Sequence, residues 1–179
     1  DVSKRDPLSH RKKYGIPYDA FVIGSVGRLA RVKGHAYLIE AMPSILKERP
    51  DCRLIIAGDG PLRNDLESLI LQLNIADRVI FLGYVEEIWA FLAMIDLFAL
   101  PSLSEGLPMS LLEAIASGRP ILTTAVGGIP EVISSSDYGI VVPPADSLSI
   151  ARAVKIFFSE KDRMQKMSML GREYIQIQI

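Results

Sequence analysis

Short apolar runs rich in β-branched residues alternate along this chain with longer amphipathic stretches, and that rhythm admits few folds. The runs Phe21–Val26, Leu54–Ala57, Val79–Leu82, Leu97–Leu100, Ile121–Ala125 and Ile140–Val142 read as strands. They are near-continuously apolar, as expected of parallel strands covered on both faces. Between and after them, His35–Glu48, Leu62–Leu73, Ile88–Ile95, Met109–Ser117, Leu148–Ser159 and Lys161–Tyr174 carry helical periodicity. Right-handed crossovers then predict an α/β fold, a doubly wound Rossmann-like parallel sheet with helices on both faces. A length of 179 residues suits one core, so residues 1–179 read as a single domain.

Composition narrows the function classes. Twenty Lys and Arg against 21 Asp and Glu leave a formal charge of −1, which advertises neither nucleic acid nor an anionic membrane as partner. The lone Cys52 cannot form an internal disulfide and reads as a reduced structural thiol. Asp1–Lys13 is polar with no leader-like apolar core, and no apolar run approaches the ~20 residues that span a bilayer. A cytoplasmic location is expected. A start without Met and an apolar finish at Tyr174–Ile179 without a capping signal imply a domain truncated at both ends. His10 and His35 lack partners at ligand spacing, so no metal site is expected, and His35 reads simply as a helix start. Trp89, Phe91 and the methionines read as packing residues.

The turn residues gather after the strands, the edge where open α/β sheets bind ligands. Pro101-Ser102-Leu103-Ser104-Glu105-Gly106-Leu107-Pro108-Met109-Ser110 runs from a strand into a helix whose first position suits Pro108. The amides around Gly106, Leu107, Met109 and Ser110 would point from a helix N-terminus able to hold a phosphate or sugar hydroxyls. In that helix Ser110, Glu113 and Ser117 form the one polar stripe. A carboxylate there needs a partner, which a ribose diol would supply; the alternatives are a loop cap or a structural Arg. Helical rise places Glu105 and Glu113 ~10 Å or more apart, too far for the paired carboxylates of a glycosidase. Gly27-Arg28-Leu29-Ala30-Arg31-Val32-Lys33-Gly34 offers a diphosphate clamp, Arg28 as a planar fork and Lys33 as a point charge. Taken singly, Lys33 reads equally as a solvated loop lysine. Gly58-Asp59-Gly60-Pro61-Leu62-Arg63 opens a helix but lacks the third glycine of the dinucleotide fingerprint, and no Walker-type phosphate loop occurs. No cofactor is called for.

In order along Phe21–Arg152 stand Val26-Gly27-Arg28-Leu29 with Lys33-Gly34, Ile56-Ala57-Gly58-Asp59-Gly60-Pro61, Phe81-Leu82-Gly83-Tyr84-Val85, Pro101-Ser102 with Glu105 and Glu113, and Gly127-Gly128-Ile129-Pro130-Glu131. This set resembles the C-terminal, nucleotide-sugar-binding domain of the retaining family 4 ("group 1") glycosyltransferases, enzymes of the two-domain GT-B fold. The resemblance implies that Arg28 and Lys33 hold the donor diphosphate and that Glu113 binds the ribose hydroxyls. It implies that Glu105, with the backbone of Gly106, Leu107, Pro108 and Met109, contacts the transferred sugar. Gly27 would lie at the phosphates, Gly83, Tyr84 and Val85 would meet the base, and Glu131 would support the Gly127-Gly128 loop. Pro108, where glycine often stands, removes one backbone donor.

The resemblance further implies sugar transfer from a nucleoside-diphosphate sugar, a UDP-sugar before a GDP-sugar, without a metal. The acceptor, a sugar or a lipid-linked sugar, would be held by an N-terminal domain outside this chain, and the whole enzyme could touch a membrane peripherally. Polysaccharide or lipopolysaccharide synthesis is the common setting. Other readings remain open at this stage: a sugar-nucleotide epimerase, a phosphorylase with lysine-bound pyridoxal phosphate, or a non-catalytic nucleotide-binding module.

Overall fold

The computed structural model describes residues 7–178. The expected rhythm becomes α1 (Pro7–Lys13), β1 (Val22–Val26), a 3-10 turn (Arg31–Lys33), α2 (His35–Glu48), β2 (Arg53–Ala57), α3 (Arg63–Gln72), β3 (Val79–Gly83) and α4 (Ile88–Met94). There follow β4 (Leu97–Leu100), α5 (Met109–Ala116), β5 (Ile121–Thr124), α6 (Ile129–Val132), β6 (Ile140–Val142), α7 (Ser147–Ser159) and α8 (Lys161–Gln178). The strands form one six-stranded sheet ordered β3-β2-β1-β4-β5-β6, parallel at every pairing. The α/β, doubly wound, Rossmann-like architecture read from the sequence is the architecture observed.

Alternation along each strand divides the interior in two. Ile23, Leu54, Ile56, Leu97 and Leu122 meet Leu38, Met42 and Ile45 of α2 and Val154 and Phe157 of α7 on one face. Val22, Ile55, Phe98, Leu100 and Ile121 meet Phe91 of α4 and Leu111, Ala114 and Ile115 of α5 on the other. Gly24 lets the second layer close on β1: a Cβ there would lie 2.4 Å from Ile95 Cγ2.

Several expectations need correction. Asp1–Lys13, read only as a polar stretch and assigned no helix, contains α1; residues 1–6 lie outside the described ones. The helix is fixed by Arg11, a charged residue only 9% exposed. Its guanidinium donates to the carbonyls of Met94, Tyr18 and Ala20 and to Asp96 Oδ2, the last at 2.9 Å. Asp96 Oδ2 also accepts the Val22 amide. A buried charge is tolerated when so fully bonded, and nothing in local periodicity announces it. Helices α3 and α5 are shorter than read and α8 is longer. Trp89, Met109 and Met169 are exposed rather than packed, while Phe91, Met42, Met94, Met164 and Met167 are buried. Cys52 is a free, buried thiol, pushed up to about 12 chiefly by burial. Among the described residues no helix is long and apolar enough to cross a membrane.

Candidate functional site

Strand order reverses direction between β1 and β4, so the loops leaving their carboxyl ends splay apart and leave a crevice. One wall is the loop Gly27–Gly34 after β1, and the other is Pro101–Pro108 after β4. The walls are fastened together. The Leu103 amide donates to Val32 O at 2.7 Å, and Gly34, at φ +64, packs so closely that a Cβ would stand 2.0 Å from Pro101 O.

Across this seam Lys33 Nζ donates to Glu105 Oε1 at 2.7 Å. The same oxygen accepts Ser102 Oγ at 2.6 Å. The Glu105 side chain is 7% exposed and that of Lys33 24%, so Lys33 is not a solvated loop lysine in this structure. Ser102 is itself positioned from below, its carbonyl accepting Thr124 Oγ1 at 2.6 Å. A semi-buried, charge-assisted pair of this kind is stronger than a surface ion pair because less water competes for it.

The neighbouring loops lock onto these walls. Gly127, at φ +53, sits where a Cβ would be 1.8 Å from Glu105 O, and the Gly128 amide donates to Gly106 O at 3.1 Å. On the other flank Gly58, at φ +135, abuts Gly27 O, and its amide donates to Gly83 O at 2.7 Å. Gly58 therefore stands between Gly27 and Gly83, as the strand order β3-β2-β1 requires, and past Gly83 Tyr84 is 84% exposed and Val85 half-buried. Arg28 projects into solvent beside Leu29 and forms no ion pair among the described residues.

Pro108 is the N-cap rather than the first helical residue, with ψ 117. The Leu111 amide makes the first return bond, to Pro108 O. The amides of Met109 and Ser110 precede that bond and face outward, as at any helix N-terminus. Gly106, Leu107 and Met109 are exposed around them, and Pro108 is buried. One turn on, Glu113 has its pKa raised by partial burial. Its carboxylate accepts no hydrogen bond and forms no ion pair among the described residues, so neither the loop cap nor the structural Arg is present. Glu131 is exposed; its amide donates to Gly128 O, and its side chain bonds nothing among the described residues. It braces the Gly127-Gly128 turn through its backbone alone.

The structure thus brings Gly27, Lys33, Gly83, Glu105, Gly106 and the start of α5 to one edge. Ser102, present in the motif without a role, and Thr124, outside every motif, together orient Glu105; nothing in their spacing shows that both turn inward. Hollows among the described residues also lie away from this edge. One of about 330 Å³ is at the opposite, amino edge among Arg11, Tyr18, Phe21, Arg49, Asp96 and Lys161; one of about 390 Å³ lies beside α1 among Leu8, Arg11, Lys12 and Tyr18; another of about 330 Å³ flanks β6 near Ser134–Ser136. None of these gathers the motif loops, and the switch-point crevice is the better candidate because the charged and glycine-rich residues converge there. Among the described residues no three His, Cys, Asp or Glu side chains converge as a metal site would require.

A protein-family profile described as glycosyl transferases group 1 matches residues 8–174. The N-acetyl-alpha-D-glucosaminyl L-malate synthase of Bacillus anthracis is 34% identical over 172 residues, 96% of this chain and 45% of the relative. Anabaena Alr3699/HepE, solved in complex with UDP and glucose, superposes with TM-score 0.90 at 24% identity, over 98% of this chain and 50% of that one. The C-terminal domain of a glycosyl transferase group 1 family protein (LpcC) from Francisella tularensis superposes with TM-score 0.86 at 25% identity, over 99% of this chain and 96% of that one. The chain spans about half the length of the longer proteins it matches.

Proposed function

The chain belongs to the group 1 glycosyl transferases, and from that premise we propose that it is the donor-binding domain of a retaining, metal-independent enzyme. The enzyme moves a hexose-type sugar from a nucleoside-diphosphate sugar to an acceptor. The observation that carries this reading is the seam itself: Lys33 and Glu105 joined across the switch point, on loops that also carry or lead to Arg28 and Glu113, both without an ion-pair partner among the described residues. An anionic ligand that also carries hydroxyls fits a site that combines two cations with two carboxylates.

In the proposed complex the ribose diol donates to Glu113 and the diphosphate lies at Arg28, Lys33 and Gly27. The base rests by Gly83, Tyr84 and Val85, and the sugar meets Glu105 and the amides from Gly106 to Met109, Pro108 offering none. Glu131 keeps the Gly127-Gly128 turn in place. The bond from the sugar's anomeric carbon to the diphosphate breaks while the acceptor oxygen attacks from the same face. The departing phosphate oxygen takes the acceptor's proton, and Arg28 and Lys33 offset the charge that develops on it. No protein nucleophile is assigned. UDP is the favoured nucleotide, as in the superposed complex with UDP and glucose, with GDP next. The acceptor, a sugar or lipid-linked sugar of polysaccharide or lipopolysaccharide assembly on the cytoplasmic side, would be held by a second, N-terminal domain facing the open crevice. That domain is needed for turnover.

Calorimetric titration with UDP, GDP, ADP and UDP-sugars, with and without divalent metal, tests this reading. Binding of one nucleotide without metal supports it; an absolute metal requirement, or no binding to any nucleotide, overturns the donor site as described. An epimerase would convert its sugar nucleotide with no acceptor present, which the full-length enzyme should not do.

A further inference from the structure

Lys33 is carried into α2 by Gly34, whose φ of +64 and close approach to Pro101 O make the turn a tightly packed junction between the two crevice walls. The next residue, His35, is 2% exposed, and neither ring nitrogen has a hydrogen-bond partner among the described residues. Burial and the nearby Lys33 charge hold the imidazole neutral, its pKa lowered to about 4. Ser25 Oγ, on β1, is likewise buried without a partner. Ile23 faces α2, so by strand alternation Ser25 faces α2 as well. His35 and Leu38 share one face of that helix. Two unsatisfied polar side chains therefore lie on the same side of the sheet, beneath the turn that carries Lys33. Native proteins bond nearly all such groups, and an exception at a functional edge calls for a role.

We propose that His35 is a positioning residue for donor binding: its imidazole, unbonded while Lys33 is tied to Glu105, bonds Ser25 when the donor diphosphate draws Lys33 away and the turn re-seats. Donor binding then relieves an unsatisfied pair in the interior and fixes the ammonium at the phosphates. The inference rests on the donor-site reading above.

The test is nitrogen NMR of the histidine rings during titration with UDP and GDP, alongside calorimetry. The chain has two histidines, so an H10A variant assigns the signals. At nucleotide saturation the acceptor nitrogen of His35 should shift upfield by several ppm. His35→Leu should bind nucleotide about tenfold more weakly while melting no lower than the parent, since an unsatisfied buried group has been removed. His35→Gln, which retains a donor and an acceptor, should recover most of the affinity. Nucleotide binding with unmoved His35 resonances, or with His35→Leu binding like the parent, overturns the proposal and leaves the donor site standing. Absence of nucleotide binding by the parent chain overturns both. If His35→Leu does not fold, the resonances of the parent protein still decide.

Discussion

Gly127→Ala tests how the loops are locked. Alanine at φ +53 pays the left-handed penalty of ~1–2 kcal/mol. Its Cβ, 1.8 Å from Glu105 O, meets backbone that must be displaced, for which overpacking data give ~1–3 kcal/mol. The displacement weakens the bond from the Gly128 amide to Gly106 O, a further ~0.5–1.5 kcal/mol. Together these destabilise by roughly 2.5–6.5 kcal/mol, which at ~2–4 °C per kcal/mol for a domain of this size lowers Tm by roughly 5–26 °C. Gly118→Ala is the control: φ is +70 but nothing lies within 4 Å of the new Cβ, so only the backbone penalty of ~1–2 kcal/mol applies. Urea and thermal unfolding of both variants, with nucleotide titration, provide the assay. Equal stability of the two variants would refute the claim that close approach, rather than φ alone, demands glycine at 127. A stable Gly127→Ala variant with intact nucleotide affinity would refute the link between this turn and the Glu105 loop.

Glu113→Gln should weaken nucleotide binding by ~1–3 kcal/mol, seen by calorimetry, without lowering Tm. Because partial burial raises the Glu113 pKa, affinity in the parent should decline with falling pH sooner than for an ordinary carboxylate, as protonation removes the acceptor. The Gln variant should lack that limb of the profile. Asp96→Ala strands the Arg11 guanidinium and the Val22 amide and should cost ~2–4 kcal/mol by urea midpoint, with nucleotide affinity unchanged because Asp96 lies at the amino edge. Cys52, raised from 9.0 to about 12, should resist thiol reagents until the chain unfolds. The folded state holds its proton more tightly, so this group's stability contribution is full below about 9 and is lost as pH rises toward about 12, measurable as a falling urea midpoint relative to Cys52→Ala.

The crevice is built from elements of different legibility. Glu105, Lys33 and Arg28 stand out in the sequence because charges among glycines after apolar runs mark strand ends facing a ligand. That Lys33 touches Glu105, 72 positions on, depends on β1 and β4 being neighbours, a pairing that no local pattern specifies. Arg11 was hidden for the same reason, since its partners Met94 and Asp96 lie far along the chain. Glu131 shows another limit: the motif marks it as a support for the Gly127-Gly128 loop, and the bond that links it to that turn comes from its amide, which no side-chain pattern announces.

The sequence by itself determined the α/β rhythm, the parallel sheet and the edge where the charged and glycine-rich loops gather. These follow from hydrophobic periodicity and backbone sterics, which act over a few residues at a time. Only the tertiary structure decided which loops meet: that Ser102 and Thr124 hold Glu105, that glycines 34, 58 and 127 are pressed against carbonyls, and that His35 and Ser25 are buried with no side-chain partner among the described residues. Those outcomes depend on contacts between distant segments, which sheet order and packing density fix together.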